Sequence, residues 1–557
     1  MKRINLLLVL PLLLIVVMLS SCSKSPDTIY VNGKIYTFDK NNNVVEALAV
    51  KERKIYETGK SEELKKKFEK AEVIDLQGKT VIPGFTDSDG SLILFAQNLS
   101  NYNLAKFENR KSVEKIINEA KNRFKPGTWI GLIFYGGEES TADSIAELSR
   151  KYLDDLAPEH CVYLLDVTYN IALCNSAMLN AIRITPSSES PENGSIEKDD
   201  SGELTGFLFD DATSLINPSF RTYTKENMLS LVEIASNELL KYGIVGIQDR
   251  TVNKESITLF RQLIDSNKLP IRIYGVLSSG DEAYKEYITK GIEKDYKEKL
   301  AIRGVSIDYD GAFEYQLASM FDEYKIKNKV NPTFSSDEAL EELLTQAYDK
   351  KFQVNIKAVG DKAVNNVLNV IEKVHKSKSP KDHRTRIEHI EFAKKEDISR
   401  LKNLGIIPSV RPEVVIDDIQ IVPLITNESN YQNMGMWKSM LESAGMLNVG
   451  SDFPFQQINP LIQMYYLVTR QMIDTTEKIN IPNPDQKISI TDALKSYTIW
   501  PVYTAFEEES RGTLEKDKYA DFIVLSEDII NSQPQVLLKT KVLKTIFGGK
   551  VVYSAEK

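Results

Sequence analysis

The residues of this chain that could perform chemistry are ionisable side chains that follow short apolar runs. Asp89 comes soon after the run at 81–85, Lys357 closes the run at 354–356, and Asp452 follows the run at 447–450. One such position means little, because any strand ends in polar residues where it meets solvent. If the runs are neighbouring strands, however, the whole set faces one cavity and forms a candidate catalytic or binding site. The other members of the set are Asp87, Ser91, Asp249, Asp308, Asp310, Glu388, His389, Arg411 and Ser451.

A repeated unit of amphipathic helix, glycine and short apolar strand fills the middle of the chain. Helically spaced apolar residues at 228–239 precede Gly243 and the apolar run at 244–247, and Gly405 and Gly445 end two further helical stretches. Strands that alternate with helices form a parallel sheet. So many units favour an α/β fold with a closed, TIM-like (β/α)8 barrel, whose chemistry lies at the carboxyl ends of the strands. A doubly wound sheet is the alternative, although no Gly-x-Gly-x-x-Gly follows a strand.

Both ends of the chain are rich in short strands and turns. Asn32-Gly33 lies between two runs of β-branched and aromatic residues, which is a strong hairpin signal, and residues 521–525 and 542–553 have the same texture. We therefore predict a small composite β-sandwich built from both termini, residues 28–80 and 506–557. The barrel is expected at 81–505, with a less regular insertion at about 92–225.

Composition excludes several classes of protein. The 557 residues are 42% hydrophobic and 27% charged, which is typical of a globular chain and not of a disordered one. A formal net charge of −9 without a long basic cluster argues against nucleic acid as a partner. The four histidines and three cysteines show none of the spacings of a structural zinc site. A site at the ends of the strands would instead take a small-molecule ligand or substrate.

Residues 1–21 have the pattern of a signal peptide, with Lys2 and Arg3 followed by an apolar run at 6–19 that is too short to span a bilayer. They end before Cys22 in a stretch that resembles the bacterial lipobox. We predict lipid attachment at Cys22, a polar tether at 22–27 and a lipid-anchored location in the bacterial cell envelope. An ordinary secretory signal is the alternative. Cys161 and Cys174 lie in apolar segments, which favours two buried thiols over a disulfide.

Several motifs resemble those of the metal-dependent amidohydrolase superfamily, and the likeness runs from about residue 28 to 553. Three of them are similar to the N-substituted formamide deformylase-like branch, the amidohydrolase 3 family: NSAML at 175–179, AVGDKA at 358–363 and YT at 497–498. The resemblance implies a metal-bearing barrel with a β-sandwich made by both termini. The superfamily motifs are VIPGFTD at 81–87, RIEH at 386–389, GSDFP at 450–454, and GTL at 512–514 followed by AD at 520–521.

The same resemblance implies a mechanism. One or two divalent metals, usually zinc, are bound by a His-x-His pair after the first strand and by later histidines. The metal activates water, and an aspartate after the last strand moves the proton as an amide-type bond is hydrolysed. This chain departs from the pattern, because the His-x-His pair falls at Asp89 and Ser91 and a later histidine falls at Lys357. Only His389 and Asp452 stay in register.

Two interpretations of this departure stay open. In one, the Lys357 ammonium replaces the metal and pairs with Asp89 or Asp452, and the chain is an inactive pseudoenzyme that serves as a ligand-binding lipoprotein. In the other, the chain hydrolyses non-peptide carbon–nitrogen bonds at a degenerate metal site, with Asp452, Lys357 and His389 as catalytic residues. Asp89, His389 and Asp452 would then hold one divalent metal, zinc or a harder ion, or no metal would be bound and Lys357 or Asp452 would act as base.

Overall fold

The computed structural model describes residues 25–104, 110–134, 148–166, 171–216, 223–325, 334–378, 380–473 and 482–555. The predicted signal peptide, Cys22 and the first residues of the tether lie outside these ranges. Within them, no helix combines the length and the apolar character that a bilayer span requires. The chain forms two compact units, which we name the β unit (described residues of 1–86, 243–245 and 489–557) and the barrel unit (described residues of 87–242 and 246–488).

The β unit confirms the predicted composite sandwich but not the predicted hairpin at Asn32-Gly33, because Thr28–Val31 and Lys34–Tyr36 lie in different sheets. Strand Phe522–Leu525 pairs antiparallel with Thr80–Pro83, in register Ile523 to Ile82, so that both ends of the chain share one sheet. Side chains of the two sheets, such as Tyr30, Val81 and Phe522, meet in one apolar core. One sheet contains Lys54–Gly59, Ala47–Lys51, Thr28–Val31 and Glu72–Asp75, and the other contains Lys550–Ser554, Val542–Phe547, Phe522–Leu525, Thr80–Pro83, Lys34–Tyr36 and Val44–Val45. Helices Ser61–Lys67, Ile490–Lys495 and Ile499–Thr504 complete this unit.

Eight parallel strands in sequence order form the predicted barrel, which is nearly closed. Between the first and last strands, Gly90 forms a parallel bridge with Phe453, and the amide of Asp452 donates to the carbonyl oxygen of Asp89 at 3.0 Å. This closure places the segments that carry Asp89 and Asp452 side by side. The strands are Phe85–Gly90, Ile244–Val252, Arg272–Ser278, Leu300–Asp308, Gln353–Ala358, Arg386–His389, Ile407–Val410 and Asn448–Val449, with the short Glu293–Tyr296 paired antiparallel to the fourth.

The helices between the strands form as the apolar spacing predicts. The helix Lys225–Lys241 buries Leu231, Ala235 and Leu239 on one face and is capped by Thr224, whose side chain accepts from the amide of Asn227. Gly405 and Gly445 follow their helices in the left-handed region, at φ 62° and 79°. The other helices are Lys254–Asp265, Glu282–Lys290, Asp337–Asp349, Asp361–Lys378, Lys395–Leu404, Pro412–Asp418, Val422–Ile425, Glu428–Tyr431, Trp437–Ala444 and Pro460–Thr469.

The region predicted as an insertion has a sheet of its own. Cys161 and Cys174 lie in this sheet as buried, free thiols within an apolar cluster, as the sequence predicts. Burial raises the pKa of the Cys161 thiol to about 11, so it is an unreactive side chain. The sheet contains Gly194–Lys198, Leu204–Asp210, Ile171–Cys174, Cys161–Asp166, Trp129–Phe134 and Asn101–Leu104, and its helices are Leu92–Asn98, Arg110–Arg123, Arg150–Leu156 and Ser176–Ala181.

The barrel closure depends on the missing side chain of Gly90. A Cβ at this position would lie 2.0 Å from Cε1 of Phe453, a buried ring that packs edge-on against Phe95. We expect Gly90→Ala to lower the free energy of unfolding by about 1–3 kcal/mol, measured by urea denaturation, because the ring must move. Gly280→Ala is the control, since nothing lies within 4 Å of a Cβ there. Equal stability of the two variants would contradict this prediction.

Candidate active site

The carboxyl ends of the barrel strands surround a cavity of about 900 Å³. The loops that follow the strands converge at this end, which is where barrel enzymes hold their active sites. Six residues singled out by the sequence line the cavity, namely Asp89, Ser91, Asp308, Lys357, His389 and Asp452. Arg250 also lines it, although the sequence pattern had pointed only to the preceding Asp249.

Three of these residues converge at the floor of the cavity. Asp89, His389 and Asp452 each offer one ligand atom, and the three atoms lie within 4.8 Å of one another. His389 and Asp452 both have backbone in the left-handed region, at φ 72° and 61°. This conformation is unfavourable for residues other than glycine, and strained residues of this kind cluster at active sites.

Asp89 is already paired with two arginines. Its Oδ2 accepts a hydrogen bond from Nε of Arg411 at 2.9 Å, a second one from Nη2 of Arg411, and one from Nη1 of Arg250 at 3.2 Å. Burial alone would raise the pKa of Asp89, but the positive charges of Arg411 and Arg250 hold this pKa below its usual value. Asp89 is therefore an ionised carboxylate whose counter-ions are guanidinium groups.

The same arginines bind further carboxylates. Nη2 of Arg411 donates to Glu388 at 2.8 Å, Nη2 of Arg386 lies 2.5 Å from the other oxygen of Glu388, and Nη2 of Arg250 donates to Asp308 at 3.1 Å. We name these six residues the arginine network: Arg250, Arg386, Arg411, Asp89, Glu388 and Asp308. Three guanidinium groups face three carboxylates, so the network is neutral without any bound cation.

Lys357 does not have the partner that the sequence suggested. Its side chain lines the cavity. Within the described ranges, however, its Nζ lies more than 4.0 Å, the limit for an ion pair, from every carboxylate oxygen. Arg411 occupies that place beside Asp89, because it extends from the end of the seventh strand toward the first. The pairing of Lys357 with Asp89 is therefore not seen, and the positive charge at this carboxylate is supplied by arginine.

The pKa values of Asp452 and His389 are shifted in opposite directions. Burial, together with the nearby charge of Asp89, raises the pKa of Asp452 to about 6. Burial, with the charges of Lys357, Arg411 and Arg250, lowers the pKa of His389 well below its ordinary value. At pH 7 the site therefore holds an ionised Asp452 close to its pKa and a neutral imidazole.

Other carboxylates that the sequence singled out bind the backbone instead of lining the cavity. Burial raises the pKa of both Asp87 and Asp310 to about 7. These side chains order the loops that follow the strands, which is a structural role. Asp310 accepts from the amides of Ser319, Val359 and Gly360, Asp87 from those of Asp89 and Ser451, and Asp249 from those of Leu92 and Thr251.

The residues at the floor of the cavity do not fit the metal that the family resemblance implies. His389 and Asp452 could each offer a ligand atom, but the third candidate, Asp89, is bound by two guanidinium groups. A unit positive charge about 4 Å from another costs about 4 kcal/mol at an effective dielectric of 20, and a divalent ion doubles that cost. Lys357 adds a further positive charge to the same cavity. We therefore derive no step of the chemistry through a metal.

Metal affinity is expected to respond to Lys357. We expect the purified native protein to hold far less than one divalent ion per chain by elemental analysis. Lys357→His should bind zinc at least about tenfold more tightly than Lys357→Met, because both remove the charge and only histidine adds a ligand. One tightly bound ion per chain in the native protein would show that the arginine network does not exclude it.

Comparison with known proteins agrees with the fold and the motifs. Residues 72–553 match the amidohydrolase family. The chain is 26% identical over 549 residues to the N-substituted formamide deformylase of Arthrobacter pascens, covering 95% of this chain and 98% of that protein. It is 27% identical over 549 residues to the protein LONG AFTER FAR-RED 3 of Arabidopsis thaliana, covering 95% and 91%.

Solved structures share the same fold. The crystal structure of an uncharacterized metal-dependent hydrolase from Pyrococcus horikoshii OT3 aligns with a TM-score of 0.71 at 24% identity, covering 91% of this chain and 99% of that one. A second one, from Pyrococcus furiosus, aligns with a TM-score of 0.71 at 21% identity, covering 90% and 100%. From the match over residues 72–553, together with the barrel and its composite β-sandwich, we conclude that the chain belongs to the amidohydrolase family of hydrolases.

Proposed function

We propose that the protein hydrolyses a carbon–nitrogen bond other than a peptide bond in a small molecule, with Asp452 as general base. The observation that carries this proposal is the partly buried carboxylate of Asp452 beside a neutral imidazole at the floor of the cavity. A base with a pKa near 6 is ionised at pH 7 and still accepts a proton readily. The likeness to an N-substituted formamide deformylase supports the choice of bond.

The proposed reaction uses the chain's own residues. Asp452 takes a proton from water, and the water oxygen adds to the carbonyl carbon of the substrate. The Lys357 ammonium, which lines the same cavity, stabilises the negative charge on the carbonyl oxygen. Asp452 then gives the proton to the nitrogen as the carbon–nitrogen bond breaks. One water is consumed, an acid and an amine leave, and Asp452 returns to its ionised form.

His389 and the arginine network hold this machinery in place. The neutral His389 ring can hydrogen-bond the attacking water, and its Nδ1 lies 3.3 Å from Oε1 of Glu391. The network anchors Asp89, whose backbone oxygen in turn accepts from the amide of Asp452. Arg411 and Arg250 are thus positioning residues in the proposed reaction.

Release of amine from a panel of N-formyl and N-acetyl amines tests this proposal, with the full chain assayed in the presence of a chelator. We expect equal amounts of acid and amine from at least one member of the panel, at a rate that the chelator does not change. Loss of turnover on chelation would contradict the role given to Asp452 and Lys357.

A second candidate function is ligand binding without turnover. The pairing of Asp89 with Arg411 and Arg250 favours it, because a residue at a family metal position is committed to guanidinium groups. In this case the chain is a pseudoenzyme that keeps the barrel and its cavity. Compounds of the panel would then bind by calorimetry and be recovered intact, whereas any release of amine by the native chain that is absent from Asp452→Asn would contradict it.

We also propose that the chain is a lipoprotein of the bacterial cell envelope, attached through Cys22. The lipobox-like end of residues 1–21 supports this. Cys22→Ser should move the protein from the membrane fraction to the soluble fraction of the cells that produce it. An unchanged distribution of the variant would contradict lipid attachment.

A further inference from the structure

One wall of the cavity is made of carboxylates that the proposed reaction does not use. Glu391 and Asp418 are buried at its base, with 1% and 4% of their surface exposed, while Glu314 and Asp417 lie exposed at its rim. We name these four residues the acidic wall. Its base is in contact with the floor of the cavity, since Glu391 hydrogen-bonds to His389 at 3.3 Å.

The buried part of this wall lacks donors within the described ranges of the chain. Oε2 of Glu391 and Oδ2 of Asp418 are buried there, and neither accepts a hydrogen bond from an N–H or hydroxyl group. Burial, with the charge of Asp418, raises the pKa of Glu391 well above its ordinary value, so without a bound cation the two carboxyl groups share a proton, and the neighbouring His389 is neutral. In the described part of the chain, no Lys or Arg nitrogen lies close enough to any of the four carboxylates, 4.0 Å or less, to form an ion pair. Asp89 differs, because it is paired with arginine.

The backbone adds to the negative potential at this wall. Asp417 and Asp418 are the last two residues of the helix Pro412–Asp418, and the carboxyl end of a helix carries a partial negative charge. Burial, with the charges of Glu314 and Asp417, raises the pKa of Asp418 to about 7. Ionising both buried carboxyl groups without a counter-ion is costly, so a positively charged group from outside the chain would stabilise the doubly ionised pair and displace its proton.

We infer that the acidic wall binds a protonated amine of the substrate, with Glu391 and Asp418 as its two acceptors. The inference rests on the proposed function in placing the substrate in this cavity, and it adds that the substrate is a cationic amide. A protonated amine on Glu391 lies beside His389 and therefore close to the bond that Asp452 would attack. The other end of the substrate then extends toward the rim.

Two aromatic rings favour an organic cation over a metal ion. Tyr315 and Phe455 line the same cavity, and 68% and 72% of their surfaces are exposed. Ring faces attract organic cations and cover apolar groups, whereas a divalent metal prefers a compact shell of oxygen atoms. The four carboxylates of the acidic wall do not form such a compact shell, because they are spread from its buried base to its exposed rim.

Calorimetry with 2-phenylethylamine and its neutral isostere 2-phenylethanol tests this inference on the full chain. We expect the amine to bind at least about tenfold more tightly than the alcohol, as a charge-assisted hydrogen bond implies. Glu391→Gln and Asp418→Asn should each remove this preference and leave alcohol binding unchanged. The matched control is Asp281→Asn, a carboxylate on another side of the same cavity whose N-cap role asparagine keeps.

The thermal unfolding midpoint without ligand gives a second measurement. If the wall is kept for binding, Asp418→Asn should unfold at the same temperature as the native chain or higher, because the substitution removes a buried ionisable group. A clearly lower midpoint would assign these carboxyls a structural role and overturn the inference, as would equal affinity for amine and alcohol or displacement of the amine by Ca²⁺. Amine binding that persists in Asp452→Asn separates this inference from the proposed reaction.

Discussion

Asp452→Asn is expected to lower kcat/KM by about 10²–10⁴-fold on the amide that the native protein hydrolyses best. Asparagine has the same shape as aspartate but cannot take a proton from water. Because Asp452 lies partly buried beside Asp89, the exchange also removes a repulsion between carboxylates, so the fold should be kept. Steady-state release of amine measures the loss, and circular dichroism verifies that the variant is folded.

The pH profile of the native protein gives an independent test of the same residue. The raised pKa of Asp452 means that its base form is lost as the pH falls through about 6. Therefore kcat/KM should be level above pH 7 and fall about tenfold per unit below pH 6. Asp281→Asn is the control. Its kcat/KM should differ from that of the native protein by less than about threefold, because this carboxylate takes no part in the proposed reaction. An Asp452→Asn variant with nearly native turnover would remove Asp452 from the mechanism.

The architecture was accessible from the sequence because it depends on local rules. The repeated helix, glycine and apolar strand required a parallel sheet, and Gly405 and Gly445 do end their helices in the left-handed region. The strand-rich texture of both ends predicted the composite β-sandwich, but the hairpin predicted at Asn32-Gly33 was wrong. The strands on either side of it pair with other partners in two different sheets, which a local turn signal does not specify. The convergence of Asp89 and Asp452 follows from barrel closure, since the first and last strands must meet.

The counter-ions of the site were not accessible in the same way. Asp89 and Arg411 are 322 residues apart, and no local pattern around either residue specifies that they pair. Lys357 was the expected partner because it stands at a family ligand position. Arg250 instead reaches Asp89 from the adjacent second strand, and Arg411 reaches it from the end of the seventh strand, past the eighth, and both bind it through guanidinium donors. The run of acidic residues at 417–418 gave no sign that Asp418 would meet Glu391 beneath the rim.

Arg411→Met should lower the free energy of unfolding by about 3–5 kcal/mol, which is typical of breaking a buried ion pair by removing one partner. The Arg411 side chain is 1% exposed and is bound to Asp89 and Glu388, which are 4% and 0% exposed. Methionine fills much of the space but leaves both carboxylates short of a counter-ion in a medium of low polarity. Urea unfolding followed by circular dichroism measures the change.

Arg400→Met provides the matched control, because Arg400 also binds two carboxylates, but Glu372 is exposed and the buried Asp397 keeps a hydrogen bond from Asn365. A smaller loss of about 1–2 kcal/mol is expected there, since no carboxylate is left without a donor or water. Adding Asp89→Asn to Arg411→Met should restore part of the stability, since it removes one of the carboxylates left without a partner. If Arg411→Met were no less stable than Arg400→Met, the arginine network would not supply the charge that the family's metal supplies elsewhere.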